Sequence, residues 1–167
     1  TLRQYLKENT PLPHTEALRI INEIGKATAY LHANKIIHRD LKPENIMIDG
    51  STHTVKIIDL GCADASDYNV IKGPAGTRHY AAPEQLSIEG KIDIRTDIYA
   101  IGKIIRDITS ATEGNWRKAI QIANKCSEDN PKDRYSSVAV LLSEFNKTQK
   151  HPKVIIIAIA IIAIIIG

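Results

Sequence analysis

The sequence predicts a mainly α-helical domain that carries one short β-hairpin. Over residues 17–31 the apolar positions recur at three- and four-residue spacing, which is typical of an amphipathic helix with one buried face. Over residues 93–109 apolar side chains occupy nearly all sides, which indicates a helix at the centre of a core. Residues 46–48 and 55–58 are short β-branched runs separated by Asp-Gly-Ser, a pattern that predicts a hairpin.

Shorter elements are predicted around this framework. Residues 1–8 read as a first helix, and Thr15 is a candidate N-cap for the long helix that follows. Residues 116–126 and 137–145 have the spacing of two further amphipathic helices. Residues 68–83 are rich in Gly and Pro and lack a period, which indicates an irregular surface loop of the kind that often carries function.

Composition favours one folded domain and argues against two classes of function. The chain has 167 residues, of which 25% are charged and 43% hydrophobic, so it can bury a core. The net charge of +3 comes without an arginine-rich or aromatic-interleaved stretch, so nucleic acid is not an expected partner. Cys62 and Cys126 lie far apart and the six histidines are scattered, so free thiols are expected and a zinc site is not.

The C-terminal end differs from the rest of the chain. Every residue over 154–166 is apolar, and Lys147, Lys150, His151 and Lys153 precede this run. A membrane-spanning helix needs about 20 apolar residues, so the pattern predicts a span of which only the first part is present. Basic residues before a span indicate that the preceding domain is cytoplasmic, and they can also contact anionic lipid. The alternative is a buried C-terminal helix or strand.

Three parts of the chain follow from this pattern. We expect a folded domain over residues 1–147 and a basic juxtamembrane linker over residues 148–153. Residues 154–167 would begin a transmembrane helix, which predicts a single-pass protein of the cell membrane.

Three motifs carry the functional pattern. Residues 38–45 read His-Arg-Asp-Leu-Lys-Pro-Glu-Asn, residues 59–61 read Asp-Leu-Gly, and residues 76–84 end in Ala-Pro-Glu. In order and spacing they resemble the catalytic loop, the metal-binding Asp-Phe-Gly element and the end of the activation segment of protein kinases. The resemblance extends over residues 1–147 and is to the eukaryotic-like, or Hanks-type, serine/threonine kinases. It implies the large lobe of that fold, a helical bundle with a short hairpin at the catalytic site.

The resemblance implies a site for phosphoryl transfer from ATP. Asp40 would orient the substrate hydroxyl and accept its proton, while Lys42 would steady the transferring phosphate and help to bind the nucleotide. Asn45 and Asp59 would supply oxygen ligands for Mg²⁺, which keeps waters and bridges phosphates, and Mn²⁺ could replace it. The alternative is that Asp40, Asn45 and Asp59 only cap loops or lie on the surface.

Regulation and substrate contact are implied for three further residues. In the family, the arginine that precedes the catalytic aspartate, here Arg39, pairs with a phosphate on the activation segment. Ser66 is a candidate acceptor of that phosphate in this chain. Thr77 matches the threonine that hydrogen-bonds the catalytic aspartate and lysine and shapes the substrate groove.

Other matching residues are expected to stabilise the domain. Asp97 would brace the backbone of the catalytic loop, and Glu84 would pair with Arg134. His38 would pack and orient the same loop. Leu60 replaces the family's phenylalanine, a mild departure because both side chains are apolar.

Two larger departures from the family pattern affect the expectations. The chain contains no glycine-rich Gly-x-Gly-x-x-Gly loop, strand lysine or partner glutamate upstream, so we expect a large lobe without its small lobe, inactive by itself. We therefore expect the sequence to be truncated at both ends. Residues 110–115 occupy the position where the family usually has a further helix that helps to dock substrates. The sequence therefore does not indicate how substrates would dock.

The function expected from the resemblance is phosphorylation of protein serine and threonine residues in signal transduction. Lys42 and Thr77 favour these acceptors over tyrosine. A small-molecule phosphotransferase shares the two aspartates but lacks the Ala-Pro-Glu terminus. An alternative from a different functional class is a pseudokinase scaffold, which binds nucleotide or partners without phosphoryl transfer. A strand lysine and a glycine-rich loop upstream would favour the enzyme over this alternative.

The expected partners are protein substrates and, through the C-terminal segment, a membrane. A homodimer that phosphorylates itself in trans is a further expectation. The membrane segment suggests a receptor-like layout, which bacterial members of the family often have.

Overall fold

The structure is a computed structural model that describes residues 1–50, 52, 54–60 and 79–149. Within them lie five α-helices and one two-stranded sheet. Their bounds are α1 Leu2–Glu8, α2 His14–Ala33, β1 Ile46–Ile48, β2 Val55–Ile57, α3 Ile94–Ser110, α4 Arg117–Cys126 and α5 Val138–Gln149. Single 3₁₀ turns occur at Pro43–Asn45, Pro83–Gln85 and Pro131–Asp133. The mainly helical class and the hairpin predicted from the sequence are confirmed.

The hairpin pairs its strands antiparallel, and Ile46 lies opposite Ile57. β2 ends at Ile57, one residue earlier than predicted. The next backbone N–H, from Ile58, instead donates to the carbonyl of Asn45 at 2.9 Å. The chain that leaves β2 is therefore tied to the segment that enters β1.

The capping role predicted for Thr15 is wrong. α2 begins at His14, and Thr15 already lies in its first turn. The N-cap is Pro13, which makes no side-chain capping bond. Proline fixes its own φ near the helical value and favours the start of a helix at this point, two residues before the expected position.

α3 is the central helix, as its nearly all-round apolar pattern predicts. Asp93 caps its N-terminus, because its carboxylate accepts the N–H of Arg95 at 2.7 Å. The isoleucines of α3 are almost fully buried, and each such side chain contributes about 1.5–3 kcal/mol through burial. They are Ile98, Ile101, Ile104, Ile105 and Ile108. The helix is thus fixed by its surroundings on most sides.

Glycines allow the helices to approach closely. A Cβ atom on Gly102 of α3 would lie 2.6 Å from the Cβ of Cys126 and 2.8 Å from the carbonyl oxygen of Ala123. Both neighbours belong to α4, so this contact sets the α3–α4 distance. Cys126 is a free, fully buried cysteine, and burial raises the pKa of its thiol well above the ordinary value. Cys62 lies outside the described residues.

The two ends of the described chain complete the picture. α1 buries Leu2 and Leu6, and Leu12 N–H donates to the carbonyl of Ala111 at 2.7 Å, which joins the loop after α1 to the end of α3. α5 runs to Gln149, farther than predicted. No helix of the described ranges is long and apolar enough to cross a membrane. The predicted membrane segment 154–167 falls outside those ranges.

Candidate active site

Asp97 of α3 holds the backbone at the start of the 38–45 loop. Its carboxylate accepts the N–H of His38 at 2.9 Å through Oδ2 and the N–H of Arg39 at 2.8 Å through Oδ1. Oδ2 also lies 2.8 Å from Nε2 of His32. Asp97 is 1% exposed, so these bonds act where water does not compete. The bracing contact expected for Asp97 is present.

His38 joins this loop to the end of the hairpin. Its ring is fully buried. Nδ1 lies 3.3 Å from the N–H of Asp40, and Nε2 lies 3.1 Å from the carbonyl of Ile58. An N–H can only donate and a carbonyl can only accept, so these bonds require the tautomer that carries its proton on Nε2. His38 therefore ties Ile58, the residue before Asp59, to the backbone of Asp40.

Three predicted site residues, Asp40, Lys42 and Asn45, come together in one cluster. Lys42 Nζ lies 2.7 Å from Asp40 Oδ2. The amide Nδ2 of Asn45 donates to the same oxygen at 3.0 Å and to the Asp40 carbonyl at 2.9 Å. Both side-chain bonds fall on Oδ2, so Oδ1 of Asp40 stays outside them. An ion pair of this kind fixes the carboxylate while one oxygen remains for another partner.

Asp59 follows β2 in an unusual backbone conformation. Asp59 and Arg39 both have a φ of +66°, in the left-handed region that non-glycine residues rarely adopt. Such conformations cost about 1–3 kcal/mol each and persist where surrounding contacts hold them, often at functional sites. At Arg39 the backbone N–H donates to Asp97. Before Asp59, the backbone of Ile58 is bonded to both His38 and Asn45.

The donor set at this site fits Mg²⁺. Because Asn45 uses Nδ2 toward Asp40, its carbonyl oxygen Oδ1 lies on the other side of the amide. Ile58, the residue before Asp59, is bonded to the Asn45 backbone, and Asp59 would add a carboxylate. Mg²⁺ prefers such oxygen donors, with waters and phosphates completing its shell. Across the residues that the structure describes, no group of three or more His, Cys, Asp or Glu could hold a metal by itself. Phosphate and water oxygens would therefore have to complete the shell.

Glu84 and Arg134 form the ion pair that the motif resemblance predicts. Arg134 Nη1 lies 2.7 Å from Glu84 Oε1 and Nη2 lies 2.8 Å from Oε2, a bidentate contact between buried side chains. Burial by itself would raise the pKa of Glu84, but the bonds from Arg134 and from the hydroxyl of Thr96 outweigh it, and the pKa lies below its ordinary value. The pair joins the 83–85 turn to the segment that ends the Pro131–Asp133 turn, and the hydroxyl of Thr96, which donates to Glu84 Oε1 at 2.9 Å, joins it to α3.

Sequence reasoning missed the role of Gln85. The side chain is buried, its Oε1 accepts the N–H of Ala82 at 3.0 Å, and its Nε2 donates to the carbonyl of Arg39 at 2.7 Å. The two bonded residues are far apart in the chain, and a single glutamine gives no periodic signal. Only its position directly after Ala-Pro-Glu could have drawn attention to it.

A second missed feature is the polar cluster around Arg3. Arg3 Nε lies 2.8 Å from Glu44 Oε1, and Nη1 lies 3.2 Å from Asp107 Oδ2. The hydroxyl of Tyr80 bonds both Arg3 and Asp107. Burial and the bond to Asp107 raise the pKa of Tyr80 well above its ordinary value. The cluster joins α1, the Pro43–Asn45 turn, α3 and Tyr80. Local sequence patterns do not predict contacts between residues so far apart in the chain.

Several predicted residues lie outside the described part of the chain. They are Ser66 and Thr77, together with Gly61 of the Asp-Leu-Gly motif. The expected phosphate switch and the expected contact of Thr77 with Asp40 and Lys42 stay predictions.

The described fold is a mainly helical unit in which the loop before the hairpin carries the charged cluster around Asp40, as the resemblance of its motifs to protein kinases implies. The protein kinase domain family matches residues 1–115, which is more than half of the chain. The chain therefore belongs to the protein kinase domain family.

Curated relatives of the chain carry kinase names. The probable serine/threonine-protein kinase PknB of Lactococcus lactis is 40% identical over 129 residues, which cover 75% of this chain and 20% of the relative. The serine/threonine-protein kinase PrkC of Bacillus subtilis is 37% identical, with the same shares of 75% and 20%. A probable serine/threonine-protein kinase of Clostridium perfringens is 30% identical, covering 93% of this chain and 27% of the relative. The chain thus spans about a quarter or less of the length of these relatives.

Proposed function

We propose that the complete protein containing this chain transfers the terminal phosphoryl group of ATP to serine or threonine residues of other proteins. The observation that carries the proposal is the cluster in which Lys42 and Asn45 both engage Oδ2 of Asp40. Membership of the protein kinase domain family supports the reaction class. The names of the relatives support serine and threonine as acceptors.

In the proposed mechanism Asp40 handles the substrate hydroxyl. With Oδ2 held by two donors, the carboxylate has one orientation, and Oδ1 is the oxygen that would accept the hydroxyl proton. Phosphoryl transfer depends mainly on positioning and on stabilisation of charge, so a fixed carboxylate matters more than a strongly basic one.

Lys42 and the oxygen donors would serve the phosphate side of the reaction. The ammonium of Lys42 lies beside Asp40 and would steady the negative charge of the transferring group. Asn45 and Asp59 would hold Mg²⁺ or Mn²⁺, which when bound neutralises phosphate charge. In this proposal one loop would supply the base, the cation and one oxygen ligand, and Asp59, two residues after the end of β2, would supply the other oxygen ligand.

Regulation at this site is proposed through Arg39. A phosphate on Ser66 would pair with its guanidinium, and Thr77 would connect Asp40 and Lys42 to the substrate groove. The motif order in the sequence supports both assignments.

Asp40→Asn tests the proposed reaction. Asparagine keeps the size of the side chain but cannot take the hydroxyl proton, so phosphate transfer should fall by about 100-fold or more. The measurement uses the complete protein, Mg²⁺ and ATP labelled on the terminal phosphate, with hydrolysis of the labelled product to identify phosphoserine and phosphothreonine. Asp129→Asn, on an exposed loop, is the matched control and should leave transfer unchanged.

The same assay separates the kinase from the scaffold alternative. Labelled serine or threonine that disappears with Asp40→Asn supports the kinase. Nucleotide binding without any label in the wild-type protein would instead support a pseudokinase.

We also propose that the protein is a single-pass membrane protein with residues 1–147 in the cytoplasm. The basic cluster before the apolar run at 154–166 supports this orientation. Self-phosphorylation between two copies would follow from high local concentration in the membrane plane.

A further inference from the structure

The backbone that leads into Asp40 is held at three consecutive polar groups. The N–H of Arg39 donates to Asp97, the N–H of Asp40 donates to His38, and the carbonyl between them accepts a bond from Gln85. That carbonyl and the N–H of Asp40 belong to one peptide plane. The plane is therefore fixed at both edges, and removal of either bond lets it rotate.

This fixation matters because Arg39 adopts a left-handed conformation. Its φ of +66° is unfavourable for an arginine, so the loop would relax toward an ordinary conformation if its bonds were lost. Rotation about this residue swings the Asp40 side chain, because the two share the peptide plane. Of the two polar backbone groups of Arg39, Asp97 holds only the N–H. The carbonyl of Arg39 depends on Gln85.

The geometry of Gln85 suits this task. The side chain is 6% exposed, and the bond from Nε2 to the Arg39 carbonyl is 2.7 Å long. Oε1 accepts the N–H of Ala82, so both polar atoms of the amide are bonded. A flip of the amide would place its NH₂ against the N–H of Ala82 and its oxygen against the Arg39 carbonyl, which are unfavourable pairs. The Glu84–Arg134 pair fixes the turn that carries it.

We propose that Gln85 is a positioning residue for catalysis, which holds the peptide plane before Asp40 and links it to the backbone at Ala82. The inference rests on the proposed function, since it assigns a catalytic consequence to the position of Asp40. Displacement of Ala82 would move the amide and with it the Asp40 carboxylate. Gln85 would thus make the geometry of the base depend on the segment around Ala-Pro-Glu.

Two substitutions test this role in the complete protein. Gln85→Glu keeps the length and the acceptor for Ala82 but sets a carboxylate oxygen against the Arg39 carbonyl. Gln85→Met keeps the length and loses both bonds without adding charge. Gln121→Glu and Gln121→Met are the matched controls, because Gln121 is exposed on α4.

The expected result is a fall in kcat of roughly 10- to 100-fold for both Gln85 variants, with the KM for ATP within about twofold of the wild-type value. Amide hydrogen exchange should become faster at Arg39 and Asp40 but stay slow in the middle of α3. The Gln121 controls should match the wild-type protein in both measurements. A purely structural role would instead lower the melting temperature and speed exchange in α3 as well.

The exchange measurement separates this inference from the proposed function. If the wild-type protein transfers no phosphate, the proposed function fails, while faster exchange at residues 39 and 40 in the variants still supports the hold by Gln85. Unchanged kcat and unchanged exchange overturn the inference. If neither variant folds, hydrogen exchange of the side-chain NH₂ groups is measured in the wild-type protein. The NH₂ of Gln85 should exchange far more slowly than that of Gln121. Equal exchange rates would contradict the bond from Gln85 to the Arg39 carbonyl.

Discussion

Arg134 illustrates how a single residue can stabilise this domain. Every guanidinium nitrogen donates to at least one oxygen. Nε donates to the carbonyl of Glu128. Nη1 and Nη2 each donate to the carboxylate of Glu84, and they also donate to the carbonyls of Arg95 and Asp129, respectively. A buried charge is tolerated only when paired and hydrogen-bonded in this way. Removal of one partner should therefore lower the free energy of unfolding by more than the intact pair adds to it.

Arg134→Met should lower the free energy of unfolding by about 3–5 kcal/mol, because it leaves the carboxylate of Glu84 buried without its cation. Denaturant unfolding at neutral pH measures this. Lys132→Met, an exposed lysine of the same turn, is the control and should change stability by less than about 0.5 kcal/mol. Equal midpoints for both variants would contradict the role of the pair.

The same pair predicts how stability depends on pH. The pKa of Glu84 is lower in the folded protein than in the unfolded chain, so its contribution is complete above the unfolded value of about 4.3. It is lost as the pH falls through the folded pKa. Unfolding curves between pH 5 and pH 3 should show wild-type stability falling more steeply than that of Arg134→Met. Parallel curves would count against a depressed pKa.

At the scale of elements, local pattern predicts helices and strands well and their ends less well. The isoleucine spacing of α3 and the two β-branched runs leave little choice of structure, and these elements appear as expected. The start of α2 was set by Pro13 and not by the hydroxyl of Thr15. The 3₁₀ turns and the end of α5 depend on tertiary contacts, which no local period encodes.

The same limit applies to the site. The residues of the 38–45 loop could be predicted because the motif is contiguous. Asp97, Glu84 and Arg134 could be predicted only through family resemblance. Gln85 and the Arg3 cluster could not, since their bonds join positions separated by 46 residues for Gln85 and 104 for Arg3 and Asp107.

The α3–α4 contact yields a prediction for element packing. Gly102→Ala should lower the free energy of unfolding by about 1–3 kcal/mol, because the new methyl group meets the Cβ of Cys126 and the carbonyl of Ala123. Gly50→Ala is the control, since a Cβ there has no neighbour within 4 Å. Thermal unfolding compares the two. A Gly102 variant as stable as the Gly50 variant would show that α4 can move away at little cost.

At the scale of the whole molecule, the 38–45 loop lies where several elements meet. α3 contributes Asp97, the residue after β2 contributes the Ile58 carbonyl, and the 83–85 turn contributes Gln85. The loop therefore has little freedom of its own. This arrangement suits a reaction that depends on position and charge, and it would let one short loop carry both the proposed base, Asp40, and a proposed metal ligand, Asn45.

The most direct test of the proposed site is a crystal structure of the complete protein with Mg²⁺ and a non-hydrolysable ATP analogue. We expect a metal ion bound by Oδ1 of Asn45 and the carboxylate of Asp59, with the terminal phosphate near Lys42 and Asp40. Nucleotide bound elsewhere, or Asp59 and Asn45 facing separate surfaces with no metal between them, would contradict it.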